Sequence, residues 1–177
     1  MSIFRRFRAI LAARCLTSYR AGVTLVEMLI YAALFSVLIV VLSEILISML
    51  EVRLETQANA AVDQDSRYLL SRFAYDIARS TATNTPASLG SSGSSLVLNI
   101  GGVNNTYQIT SNNLTLTNAS GTDVLNSPDT TVSGLTFRRL GNSGGDESVQ
   151  ILFTVTSVAR KDSGPEVRSF QTTVGRR

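Results

Sequence analysis

Histidine is absent and Cys15 is the only cysteine, so the chain holds no imidazole base, no Cys/His zinc set and no internal disulfide. The residues whose types and spacing still offer chemistry sit at one border, Arg20, Ala21, Gly22, Val23, Thr24, Leu25, Val26 and Glu27. There a small residue ends a basic leader and a carboxylate interrupts an apolar run. Glycine has no side chain, so Gly22 makes the chain flexible and accessible just before the apolar run. Glu27 places a carboxylate in apolar surroundings, which costs roughly 2.5 to 3.5 kcal/mol at mid-membrane, and such groups usually have a partner. A plainer role also fits Glu27: in the first turn of a helix, at headgroup level, the helix dipole favours it with no partner at all.

The element that must position this border is apolar. Residues 23–50 read VTLVEMLIYAALFSVLIVVLSEILISML, long enough to cross a hydrocarbon core that needs roughly 20 mainly apolar residues. Arg5, Arg6, Arg8, Arg14 and Arg20 precede it with no acidic residue among them, which places the N-terminus in the cytoplasm and the C-terminal part outside. The formal charge of +3 belongs to this leader: removing its five arginines from 16 Lys and Arg leaves 11 against 13 Asp and Glu, about −2. A body of that sign does not favour nucleic acid as a partner. An ordinary secretory signal has a shorter apolar core, and the nearest small-residue cleavage triplet, Ala58, Asn59 and Ala60, lies beyond Glu51, Arg53 and Glu55. Arg5 and Arg6 also invite a twin-arginine export reading, which so long and so late an apolar run does not suit.

Gly22 followed by an aliphatic residue, Thr24, two more aliphatics and Glu27, and then a long apolar run, resembles the processing site of type IV prepilins and of type II secretion pseudopilins. The resemblance implies that a membrane aspartyl prepilin peptidase cuts after Gly22 and N-methylates Val23. It implies that Glu27, with Thr24 beside it, serves assembly by meeting the cationic N-terminus of an adjacent subunit. The implied partners are that peptidase, other pilin or pseudopilin subunits, an inner-membrane assembly platform and motor, and membrane lipid before assembly. The implied protein is a filament subunit for adhesion, motility, DNA uptake or secretion, not an enzyme, and no catalytic residue, cofactor or metal is expected. The leader is longer than that of many major pilins, and Glu44 stands near the place where many of those have a helix-bending proline. With closing strands VSGLTFRRL, VQILFTVTSVAR and VRSFQTTVGRR that resemble the ends of larger minor subunits, the resemblance points to a minor pilin or minor pseudopilin. The alternative is a membrane-anchored extracytoplasmic module that binds DNA or a surface ligand.

Beyond the apolar run, Leu54, Ala58, Val62, Leu69, Phe73 and Ile77 keep three-to-four residue spacing, so one helix is expected over 23–80, apolar to residue 50 and amphipathic after it. Asp63 with Arg67 and Arg72 with Asp76 stand four apart, as surface pairs would. Residues 81–95, rich in Ser, Thr, Gly and Pro, read as a linker loop. Alternating runs at 96–100, 107–110, 114–117, 132–140, 149–158 and 167–174, parted by turn residues, read as strands of a sheet domain over 96–177. The expected fold is α+β, a long N-terminal helix packed by its second half on an antiparallel sheet, which is also how the pilin family is built.

Four further signals read as bland. Gly144, Gly145, Asp146 and Glu147 begin a cyclic-dinucleotide synthase signature, but Ser148 follows, and a hairpin turn is expected. Asn104, Asn113 and Asn118 open N-x-S/T sequons, common by chance in so polar a chain. Asp123, Asn126 and Asp129 could offer oxygens to calcium, although their spacing is not that of a known loop. Arg138, Arg139, Arg160, Lys161, Arg168, Arg176 and Arg177 would form a basic rim if the last strands are neighbours. Solvated strand edges explain them as well. Glu44 has either a partner in a fibre or a place at the outer membrane interface with Ser43 and Ser48.

Overall fold

The computed structural model describes residues 22–161 and 163–176. The leader arginines, Cys15 and Arg177 lie outside them. Two compact units are present, one ending at Ile45 and one running from Leu46.

Helix α1 spans Leu25–Arg79. Its start is specified locally. Thr24 is the N-cap, its Oγ1 accepting the Glu27 N–H at 3.2 Å, and Thr24-x-x-Glu27 is the spacing of a capping box. Every residue of α1 in the first unit is exposed, and that stretch is long and apolar enough to cross a membrane. Its serines do not break the apolar character, because Ser36 and Ser43 donate their hydroxyls back to the Ala33 and Ile39 carbonyls at 2.8 Å each.

In the second unit α1 buries Ala58, Val62, Asp65, Ser66, Leu69, Phe73, Asp76 and Ile77 on one face. Leu54, expected in this stripe, stays exposed. The helix stops where Ser80 folds back, its N–H and Oγ both donating to the Ile77 carbonyl.

Among the described residues nine strands follow and form two antiparallel sheets, where one was expected. The first has the order β1 (Ala82–Thr85), β3 (Leu96–Ile100), β4 (Val103–Thr110), β5 (Asn113–Asn118), β6 (Gly121–Val124). The second has the order β2 (Ser92–Gly93), β7 (Thr130–Gly141), β8 (Glu147–Lys161), β9 (Gly164–Gly175). Two-residue turns fix the register of the first sheet: Gly101–Gly102 and Ser111–Asn112 all have positive φ, as type I′ hairpins require. In β7 the inward residues Val132, Leu135 and Phe137 are spaced three and then two. A bulge at Gly134, with φ 62°, absorbs the extra residue.

Segment 81–95, read as a loop, contains β1 and β2, and the turn expected over 121–129 contains β6. All three are short, and β6 is exposed along its whole length, so no apolar alternation marked it. β1 and β2 are held by neighbours distant in sequence, β3 and β7.

The α+β architecture stands, with the second half of α1 packed on both sheets. Phe73 is the hub of the core: its ring lies 5.2 Å from Tyr107 of the first sheet and 5.6 and 6.1 Å from Phe137 and Phe153 of the second. Its contact with Phe137 is edge-on, a favoured aromatic geometry. Val62, Leu69 and Ile77 complete the apolar face of α1, and each buried side chain of this size contributes roughly 1.5–3 kcal/mol.

Candidate functional site

At the border, Gly22 is exposed, and a Cβ built on it would meet nothing within 4 Å. Packing among the described residues therefore does not ask for a glycine at residue 22. Val23 is 61% exposed, Thr24 caps α1, and Glu27 occupies the first turn, where the helix N-terminus favours a negative charge. The four residues singled out by sequence thus fall within one six-residue stretch, three just before α1 and Glu27 in its first turn. One member of the group escaped sequence reasoning. Tyr31 donates its hydroxyl to Glu27 Oε1 at 3.1 Å, and the i,i+4 spacing was the available signal.

Glu44 is exposed and makes no hydrogen bond or ion pair among the described residues.

In the second unit the polar residues of α1 do other work than expected. Asp63 pairs with Arg168 of β9, not with Arg67. The expected Arg72–Asp76 ion pair forms, Arg72 Nε lying 2.8 Å from Asp76 Oδ2, but its acid is buried rather than at the surface: Asp76 is 1% exposed and also accepts a hydrogen bond from the Tyr107 hydroxyl. Burial, then the bond to Asp76 and its charge, push the Tyr107 hydroxyl well above its usual range. Asp65 reaches the segment between β6 and β7. There its Oδ2 accepts from Ser127 N–H at 2.9 Å, Ser127 Oγ at 2.8 Å and Thr130 Oγ1.

The calcium reading meets an obstacle at Asn126. Its Oδ1 takes the Leu114 N–H at 2.8 Å, and its Nδ2 serves Asn113 Oδ1 and the Ser127 and Thr130 carbonyls. A side chain so engaged and 6% exposed has no oxygen to offer an ion. Among the described residues no three His, Cys, Asp or Glu side chains group as metal ligands.

The basic rim is largely consumed. Arg139 donates to the Thr83 and Ala87 carbonyls at 3.1 and 2.6 Å and pairs with Glu147. Lys161 and Arg168 both pair with Glu166, and Arg176 reaches Glu147 at 3.4 Å and the Thr81 carbonyl at 3.1 Å. The bond from Arg139, opposed by partial burial and aided by the charges of Arg139 and Arg176, holds the Glu147 carboxyl below its ordinary value. Arg138 and Arg160 are exposed and make no ion pair among the described residues. Gly144–Asp146 lie in the β7–β8 connection, closed by the Gly145 N–H on the Asn142 carbonyl at 3.0 Å, and Glu147 opens β8 as a structural ion-pair partner.

No protein-family model matches the chain, and no curated protein or solved structure matches it significantly.

Proposed function

We propose that this chain is a prepilin-type filament subunit, of the minor pilin or minor pseudopilin kind, cut after Gly22, N-methylated at Val23 and assembled through the apolar half of α1. The observation that carries the reading is the pairing of an exposed Gly22–Val23 bond, whose glycine no packing contact among the described residues requires, with an exposed apolar helix that bears Glu27 four residues on from Val23. In the membrane this half of α1 is solvated by lipid. In a filament the same surface is covered by other copies or related subunits, and Glu27 neutralises the new ammonium group of a neighbour. The second unit then faces outward and carries whatever contacts the filament makes.

The rival reading as a DNA-binding module needs clustered free cations. The commitment of Arg139, Lys161, Arg168 and Arg176 to internal partners speaks against it.

Mass spectrometry of the protein extracted from membranes tests the proposal. The expected N-terminus is N-methyl-Val23, whereas an intact Met1 or a start at Ala61 would refute it. Glu27→Gln should be cut normally yet enter filaments poorly.

A further inference from the structure

Between Leu25 and Ser43 the polar side chains are Glu27, Tyr31, Ser36 and Ser43. Ser36 and Ser43 spend their hydroxyls on α1's own carbonyls, so neither can serve Glu27. Tyr31 does, from the same face one turn further along, with its hydroxyl 3.1 Å from Glu27 Oε1. Both groups gain from this. A phenol in an apolar stretch needs an acceptor, and a carboxylate there needs donors. An ionised carboxylate offers about four lone-pair sites on its two oxygens, and Oε2 accepts nothing among the described residues.

We infer that Tyr31 is a positioning residue for Glu27, holding one carboxylate oxygen so that the other is presented to the ammonium group at Val23 of a second copy of this chain or a related subunit. The inference rests on the filament reading above. The hydroxyl does not neutralise the carboxylate, so the attraction for a cation survives. It fixes the rotamer of a side chain that would otherwise have to be ordered when the pair forms, and such pre-ordering strengthens binding. Tyr31 lies in the first unit, is 57% exposed, and takes no part in the core of the second unit. Its hydroxyl therefore has no folding role there to confuse the result.

The test uses the full-length chain in its native host, with a tagged variant competing against wild type, and reads three quantities: the N-terminal mass, the membrane level and the variant-to-wild-type ratio in sheared filaments. Tyr31→Phe keeps the ring and removes only the donor. It should be cut after Gly22 and reach the membrane at wild-type level, while incorporation falls about tenfold, the effect of losing one charge-assisted hydrogen bond. Tyr31→Gln restores a donor without the ring and should recover incorporation to within about threefold of wild type. On a Glu27→Gln background, Tyr31→Phe should add nothing. Wild-type incorporation of Tyr31→Phe, equal defects for Phe and Gln, or an undiminished Phe effect on the Glu27→Gln background would each overturn the role of Tyr31 and leave the filament reading standing. A wild-type chain that is not cut after Gly22, or normal incorporation of Glu27→Gln, would overturn both.

Discussion

Asp65 offers a sharp test of how α1 is tied to the strands. It is 6% exposed, and three donors from Ser127 and Thr130 converge on a single oxygen, Oδ2. Asp65→Ala removes the acceptor from all three at once. With about 1–3 kcal/mol for each stranded donor, reduced where water can enter, the loss should total about 3–5 kcal/mol. Asp65→Asn differs, because its amide oxygen can occupy the place of Oδ2 and keep the three bonds in neutral form. Only charge assistance is lost, about 1–2 kcal/mol. A soluble segment starting at Gln57 contains every core residue, and its unfolding in urea, followed by far-ultraviolet circular dichroism, reads both variants. For a domain of this size each kcal/mol moves Tm by roughly 3–5 °C, so Asp65→Ala should melt about 10–20 °C below wild type. Equal losses for Ala and Asn, or a loss under about 1 kcal/mol for Ala, would show that the convergence on Oδ2 does not hold the domain together.

Three further outcomes are expected from the same segment. Phe73→Ala, which empties the centre of a four-ring cluster, should cost about 3–5 kcal/mol in urea unfolding. Because the Glu147 carboxyl is held below its ordinary value of 4.5, it contributes stability above that pH and loses it as pH falls through the lowered native value. Glu147→Gln should flatten the acid limb of the stability curve, measured as Tm against pH. Asn126→Ala should destabilise by about 2–4 kcal/mol through its lost bonds, and millimolar calcium or a chelator should leave the wild-type Tm unchanged, since the amide is already engaged.

The sequence made the regular parts of this fold legible wherever a period met a core. Val62, Leu69, Phe73 and Ile77 announced the inner face of α1, and the six alternating runs announced the longer strands. Strands β1 and β2 were hidden because they are short and pair with β3 and β7 further along the chain, and β6, although the hairpin neighbour of β5, is exposed along its whole length and leaves no alternation to read. Asp76 read as a surface residue, Asn126 as a possible calcium ligand and Asp65 drew no reading, because a polar side chain does not reveal whether donors or acceptors await it inside. Ser127 and Thr130 meet Asp65 from more than 60 positions away. At the border the Thr24-x-x-Glu27 spacing matches the cap that starts α1, and the structure adds the Tyr31 hydroxyl beside Glu27.

The polar ties between α1 and the strands of the second unit leave the helix at Asp63, Asp65 and Asp76 and reach β9, the segment between β6 and β7, and β4. Attachments so distributed resist traction differently from a single hinge. A tug along the axis of α1 strains them together, in shear, with the Phe73 ring wedged among them. A tug that lifted one end would open them one after another. The domain should consequently bear far more load lengthwise than when peeled.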